Sequence, residues 1–201
     1  MHTIFRGGVL LAGALTMVLA ASAQQQPSTN KLHIDSVDVA ATFSLEHAQV
    51  AADGTPGFWL KGGSGDAAVT LYRGLGLAVN VTGDHTANIG NNVGLSQIAV
   101  MAGPRYTRSL PVLHRTQLFA EGLFGGVHAF DSLFPGSTGT TSSAGGFSTQ
   151  LGGGVNVPVA KGFSIRALEI DYVHTNLPNN NSDSQNDLRL AFGVNYRFRR
   201  R

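Results

Sequence analysis

Apolar and polar residues alternate near the end of the chain, over residues 187–198. Leucine, phenylalanine, valine or tyrosine occupies every second position there, and polar or small residues occupy the positions between. Because successive side chains of a β-strand point to opposite faces, the pattern predicts a strand with one apolar face and one polar face. The same alternation also fits a half-buried strand of a soluble β-sandwich.

Seven further stretches predict strands on the same criterion. In chain order they cover residues 37–46, 58–72, 75–82, 95–107, 116–129, 147–157 and 163–175. Gly62, Gly63 and Gly65 interrupt the second stretch, and glycines inside strands often mark bulges, so its facing stays open. The fifth stretch alternates weakly, with Phe119 and Glu121 on one predicted face, and its facing stays open too.

The connections between the predicted strands alternate in length. Those after the first, third, fifth and seventh strands are long (48–57, 84–94, 131–146, 176–186), and the others are short (73–74, 108–115, 160–162). Outer-membrane barrels have long extracellular loops and short periplasmic turns. An open sheet edge in lipid leaves backbone groups unpaired, so the strands are expected to close. The sequence therefore predicts an all-β fold: an eight-stranded antiparallel up-and-down transmembrane β-barrel.

The first residues predict a secretory signal peptide. Arg6 precedes an apolar run over residues 9–20, which is shorter than the roughly 20 residues of a membrane-spanning helix. Ala21 and Ala23 are the small residues that signal peptidase requires, so cleavage is expected before Gln24. We therefore expect a signal peptide over residues 1–23, export through the Sec pathway, a polar lead-in over 24–36 and a barrel domain over 37–201.

Composition narrows the class of function. The chain has no Cys, so an exported protein must rely on its own hydrogen bonding and packing. A net charge of +2 does not suit a nucleic-acid-binding protein. The long connections lack Lys and Arg. Basic residues gather instead at the end of the barrel that carries the short connections, which we call the turn end: Arg73, Arg108, Arg115, Lys161, Arg166, Arg197 and residues 199–201.

Charged residues on the predicted inner faces form the main candidate site. The interior of an eight-stranded barrel is just wide enough for side chains to fill it, and buried charges need partners. The predicted lumen charge network consists of Arg105, Glu121, Glu169, Asp171 and Arg189, with Arg189 paired to Glu169 or Asp171. Glu169 and Asp171 are two residues apart and therefore share a predicted face, on which Ala167 also lies. Because two carboxylates on one face can act as a catalytic pair, that role is the alternative interpretation. We expect no cofactor, no metal ion and no catalytic residue.

Histidines near the long connections offer an alternative metal site. His47, His85, His128 and His174 lie near the same ends of their predicted strands. None of them shows a ligand spacing such as H-x-x-x-H, so solvated residues at the barrel rim are the expectation.

With its strands placed, the chain resembles the small eight-stranded outer-membrane barrels of the OmpA/OmpX kind, also described as porin-family outer-membrane proteins. The resemblance is most specific in the last strand, in Gly193, Tyr196 and Phe198, although residues 199–201 extend beyond the aromatic residue that usually ends the chain. It implies that the barrel-assembly machinery reads this strand. We also expect periplasmic chaperones during biogenesis, surrounding outer-membrane lipid, and a monomer.

The expected function is a structural or interaction role in the bacterial envelope, without enzymatic activity, in a barrel whose lumen is plugged by charged side chains. A narrow ion or small-solute channel is the alternative. A lipid A-modifying hydrolase is a further alternative, because outer-membrane lipid A deacylases are eight-stranded barrels with a Ser two residues after a His. Here Asn176 occupies the position two residues after His174, where the deacylases have their Ser. Thr175 has a hydroxyl, but neighbours in a strand face opposite sides, so His174 is not expected to activate it.

Overall fold

Eight antiparallel strands form a closed barrel in which every strand pairs with its neighbours in the chain and β1 pairs with β8. This computed structural model describes residues 34–48, 57–89, 93–111, 115–136, 139–179 and 183–199. The strands are β1 Ser36–Ala48, β2 Phe58–Tyr72, β3 Leu75–Thr86, β4 Leu95–Leu110, β5 Thr116–Gly136, β6 Gly139–Pro158, β7 Phe163–Thr175 and β8 Gln185–Arg199. The predicted eight-stranded antiparallel up-and-down barrel is confirmed.

Several sequence predictions concern residues outside these ranges. The signal peptide, with Ala21, Ala23 and Gln24, lies there, as do most of the polar lead-in and the last two arginines of the chain. Within the described ranges, no helix is long and apolar enough to cross a membrane.

The outer face of the barrel is apolar and the inner face is polar. Phe43, Phe124, Leu151 and Phe192 are among the exposed large apolar side chains of the outer face. The largest fully buried side chains include Arg166, Arg189 and Gln150. This arrangement inverts that of a soluble sandwich and is typical of a barrel whose outer face contacts lipid. It also fixes the facing of β5, where Phe119, Glu121 and Leu123 are buried and Leu118 is exposed.

The predicted long connection at residues 131–146 is wrong, because β5 and β6 continue through most of it. The two strands pair as far as Gly136 and Gly139, with a register shift between Phe130 and Phe134. Phe134 is 7% exposed and belongs to an apolar cluster with Val127 and Leu177. Burial of this cluster favours extension of the hairpin where composition alone predicts a loop.

An irregularity in β7 changes which residues face the lumen. The register of β7 against β8 shifts between Arg166 and Glu169, so both side chains are buried although they are three residues apart. Ala167 and Leu168 are both exposed. The prediction of an inward Ala167 is therefore wrong. Arg166, which the sequence groups with the basic residues of the turn end, is buried inside the lumen near that end. An extra residue in one strand of a ladder reverses the expected alternation beyond it.

Candidate functional site

A layer of ion pairs crosses the lumen close to the turn end. Asp66 of β2 accepts hydrogen bonds from two arginines: Arg105 Nη1 to Asp66 Oδ1 at 2.7 Å, and Arg166 Nη1 to Asp66 Oδ2 at 2.5 Å. Arg105 also contacts Glu121, and Arg166 contacts Glu169 at 3.0 Å. These five side chains, which we name the Asp66 layer, are at most 4% exposed. Because they come from β2, β4, β5 and β7, they connect separate walls of the barrel.

Phe119 contacts both arginines of the Asp66 layer. The guanidinium carbon of Arg105 is 4.7 Å from the centroid of its ring, and that of Arg166 is 4.6 Å away. A cation over an aromatic face is attracted by the ring, and more strongly where water is excluded. The ring of Phe119 therefore stabilises both guanidinium groups.

A second group of contacts is centred on Arg189 of β8. Its Nη2 donates to Asp171 Oδ2 at 3.0 Å and to Gln150 Oε1 at 2.6 Å, and its Nη1 donates to Thr82 Oγ1 at 2.8 Å. Gln150 in turn donates to Glu121 Oε1 at 3.1 Å, which links Arg189 to the Asp66 layer. Asp171 and Arg189 lie directly opposite each other in the pairing of β7 with β8. All five predicted lumen residues therefore belong to one connected set of contacts.

Two further acidic side chains, Glu46 and Asp84, lie toward the other end of the lumen, near the long connections, which we call the loop end. Gln97 Nε2 donates to Glu46 Oε1 at 2.9 Å, and Ser44 Oγ donates to Asp84 Oδ1 at 2.7 Å. Asp84, which the sequence placed at the start of a long connection, is 5% exposed at the end of β3. Among the described buried residues, carboxyl groups outnumber guanidinium groups: Asp38, Glu46, Asp66, Asp84, Glu121, Glu169, Asp171 and Asp187 against Arg105, Arg166 and Arg189.

Gly152 makes room for the carboxylate of Asp171. A Cβ at this glycine would overlap Asp171 Oδ1 and would lie 2.5 Å from the backbone oxygen of Ile170 in β7. Both a side chain that is held by Arg189 and a strand backbone would have to move to accept a methyl group. Gly122, on the outer face, offers a matched control, because a Cβ there would have no atom nearer than 3.8 Å.

We expect Gly152→Ala to lower the free energy of unfolding by about 1–3 kcal/mol, the usual cost of overpacking. Urea unfolding of the barrel folded into phospholipid vesicles measures the effect. Gly122→Ala should leave the free energy of unfolding nearly unchanged. Equal effects of the two substitutions would contradict the steric role of Gly152.

Three carboxylates converge beside this glycine. Glu121, Glu169 and Asp171 each contribute an oxygen within 4.8 Å of the others, the one such group among the described His, Cys, Asp and Glu residues. Each of the three also contacts an arginine. A guanidinium already supplies positive charge to each carboxylate, which disfavours a metal ion as an additional partner. Glu169 and Asp171 are at most 1% exposed, so a sugar substrate does not reach this carboxylate pair.

None of the four described histidines belongs to a group of three or more potential metal ligands. The ring of His47 contacts Trp59 at 4.9 Å, and His85 Nδ1 lies 2.9 Å from Ser96 Oγ. The ring of His128 stacks on Phe130 at 6.1 Å. Each ring is therefore engaged by a neighbour on its own or an adjacent strand.

His174 and Thr175 face opposite sides of the barrel wall. His174 Nδ1 lies 2.8 Å from Asn186 Oδ1, which also accepts a hydrogen bond from Tyr172 Oη. Thr175 is 4% exposed, and its hydroxyl donates to Gln185 Oε1 at 2.9 Å. The imidazole is thus not placed to activate this hydroxyl as a nucleophile.

The predicted assembly residues lie on β8. Tyr196 contacts the ring of Phe163 at 4.6 Å and that of Phe198 at 4.5 Å, which forms an aromatic cluster near the turn end. A Cβ at Gly193 would overlap the backbone of β1, so this position requires glycine for close approach of the two strands.

Sequence reasoning misses Asp66, Phe119 and Arg166 as members of the lumen network. Asp66 follows the glycines of β2, which obscure the alternation in the sequence, and Arg166 precedes the irregularity of β7. Phe119 lies two residues before Glu121 and therefore shares its face, and this spacing is the only feature of the sequence that indicates a position in the lumen. An apolar residue that contacts two buried charges does not stand out in a sequence.

The family described as "Outer membrane protein beta-barrel domain" matches residues 11–198 of the chain. No curated protein matches the chain. Among solved structures, the chain is similar to Ail, the attachment invasion locus protein of Yersinia pestis, with 16% identity, a TM-score of 0.55, and coverage of 83% of this chain and 100% of Ail. It is also similar to Neisserial surface protein A, with 14% identity, a TM-score of 0.59, and coverage of 81% and 97% respectively. At these identities the two structures support the fold alone.

Proposed function

The chain belongs to the outer membrane protein β-barrel domain family, and from this premise we propose that it is a monomeric barrel with a structural or interaction role in the bacterial envelope. In this proposal the barrel has no enzymatic activity, and charged side chains close its lumen against ions and small solutes. Outer-membrane lipid surrounds its apolar outer face.

The observation that carries the closed lumen is the Asp66 layer. Asp66 accepts hydrogen bonds from arginines of β4 and β7, and the ring of Phe119 contacts both guanidinium groups. Arg189 of β8 adds a second set of contacts across the lumen, because it donates to Thr82 of β3 and to Gln150 of β6. An eight-stranded barrel leaves room for little besides its own side chains, and in this proposal both sets of contacts are needed to block passage. The plug consists of the predicted Arg105, Glu121, Glu169, Asp171 and Arg189, joined by Asp66, Phe119 and Arg166.

Biogenesis follows the usual route of the family in this proposal. Residues 1–23 direct export through the Sec pathway, and cleavage falls between Ala23 and Gln24. Periplasmic chaperones then deliver the chain to the barrel-assembly machinery, which reads the last strand through Gly193, Tyr196 and Phe198. The aromatic cluster of Tyr196 with Phe163 and Phe198 supports this role, because it presents a continuous apolar surface at the end of β8.

Planar-bilayer conductance tests the plug. We expect the wild-type barrel to give no steady current. Arg189→Ala removes the contacts to Asp171, Thr82 and Gln150 and should produce measurable channel openings. The current should be cation-selective, because the substitution increases the excess of carboxyl groups over guanidinium groups in the lumen.

Arg73→Ala is the control, since Arg73 lies in the exposed β2–β3 turn and its guanidinium contacts the ring of Tyr72. Heat-modifiable mobility on gels establishes that each variant is folded. A steady current through folded wild-type protein would contradict the plug and support the narrow channel.

A further inference from the structure

A pocket opens at the turn end of the barrel, beside the β6–β7 turn. Its volume is about 710 Å³, and it lies between the start of β5, this turn and the last residues of β8. Arg115, Lys161 and Arg199 line it, and all three are exposed. Three cations around one concave surface favour an anionic ligand.

The inner wall of the pocket contains a buried amide. Gln117 is 4% exposed, and its Oε1 has no hydrogen-bond partner among the described residues. Arg197, the fourth cation of the lining, donates to Asp38 Oδ1 at 2.7 Å and is thereby engaged inside the barrel. A buried acceptor without a partner is costly, and a ligand that carries a hydrogen-bond donor would satisfy it. The pocket thus suits a ligand with an anionic group and a neighbouring donor.

An aromatic surface adjoins the pocket on the lipid-facing side. Phe163 and Phe198 are exposed there, and Tyr196 contacts both of their rings. All three residues line the pocket. Aromatic residues favour the level of lipid headgroups at a membrane surface, where one side is apolar and the other is wet. An occupant that is anionic at one end and apolar at the other therefore fits this position better than a fully polar one.

The turn that carries Lys161 is held in place. Gly162 has φ +81°, a conformation that favours glycine, and a Cβ there would lie 2.9 Å from the ring of Tyr196. The amide of Arg197 donates to the carbonyl of Gly162 at 2.8 Å. The turn is thus fixed to β8 before any ligand arrives, which lowers the entropic cost of binding.

We propose that this pocket binds the headgroup of a phosphatidylglycerol-type phospholipid. The phosphate contacts Arg115, Lys161 and Arg199, and a headgroup hydroxyl donates to Gln117 Oε1. The glycerol backbone and the first methylenes of the acyl chains lie along Phe163, Tyr196 and Phe198. The proposal rests on the membrane location of the family and not on the closed lumen, so the conductance experiment does not bear on it.

Native mass spectrometry of the detergent-solubilised barrel tests the site, with phosphatidylglycerol and phosphatidylcholine of the same acyl chains as probes. We expect phosphatidylglycerol to bind more tightly than phosphatidylcholine. Arg115→Asn and Lys161→Gln should each weaken its binding about fivefold, the effect of one cation near an anionic lipid. Asparagine suits position 115 because Arg115 has φ +60°.

Two further variants separate the site from a general effect of charge. Arg73→Gln removes a cation of the same end that does not line the pocket, and it should bind phosphatidylglycerol like the wild type. Gln117→Leu removes the acceptor, and it should also weaken binding in protein whose folding is verified by heat-modifiable mobility. Equal affinity for the two lipids, or equal effects of Arg73→Gln and Lys161→Gln, would overturn the proposal. Equally tight binding of glycerol 3-phosphate would overturn the assignment to a lipid.

Discussion

Replacing Arg166 with methionine is expected to lower the free energy of unfolding by about 3–5 kcal/mol, the usual cost of removing one partner from a buried ion pair. Arg166 is fully buried and donates to Asp66 Oδ2 at 2.5 Å, to Glu169 Oε2 at 3.0 Å and to Asn156 Oδ1 at 3.1 Å. Methionine retains most of the apolar volume but none of the charge. Glu169 would then lose its guanidinium partner in a buried position, and Asp66 would keep only Arg105.

Urea unfolding in phospholipid vesicles, followed through the fluorescence of the single tryptophan, measures this loss. Arg108→Met is a suitable control, because Arg108 is an exposed arginine of β4 near the same end. Its substitution should change the free energy of unfolding by no more than about 0.5 kcal/mol. If Arg166→Met were as mild as this control, the Asp66 layer would not contribute to stability.

A second substitution, Leu151→Arg, should lower the free energy of unfolding in a bilayer by about 2–4 kcal/mol. Leu151 is 69% exposed on the outer face of β6, in the span that pairs with both β5 and β7. In lipid, a guanidinium at this position loses its hydration. The expected loss therefore depends on the hydrocarbon around the barrel and not on contacts within it.

Thr140→Arg supplies the comparison for Leu151→Arg. Thr140 is exposed on the same strand, in the part of the β5–β6 hairpin that does not pair with β7. Outside the hydrocarbon, arginine there should leave stability within about 0.5 kcal/mol of the wild type. Similar losses for the two variants in vesicles would indicate that the exposed band of β6 does not contact lipid.

Most of the fold could be predicted from the sequence, because the strands alternate with period two and the barrel must keep that alternation. In β8, the exposed Leu188, Phe192 and Val194 alternate with the buried Asp187 and Arg189, as predicted. The prediction failed where a local feature replaced the simple period. The β5–β6 hairpin extends because Phe134 packs on Val127 and Leu177, contacts that join distant parts of the chain.

The candidate site could be predicted only in part. Asp171 is one of the two partners that the sequence offers for Arg189, because both residues lie on regular stretches of neighbouring strands. Asp66 and Arg166 escape such reasoning, because one follows a run of glycines and the other precedes a shift of register. Their contact depends on the closure of the barrel, which brings β2 and β7 together across the lumen.

The sequence by itself determined the number of strands, their order and which face of most strands is apolar, because these properties depend on residues close together in the chain. Only the tertiary structure decided which charges meet inside. The width of the closed barrel sets which side chains span it, and a single irregularity lets Arg166 and Glu169 both point into the lumen although they are three residues apart. Partners across a lumen are separated by many residues, as Asp66 and Arg166 are, so no local pattern specifies them.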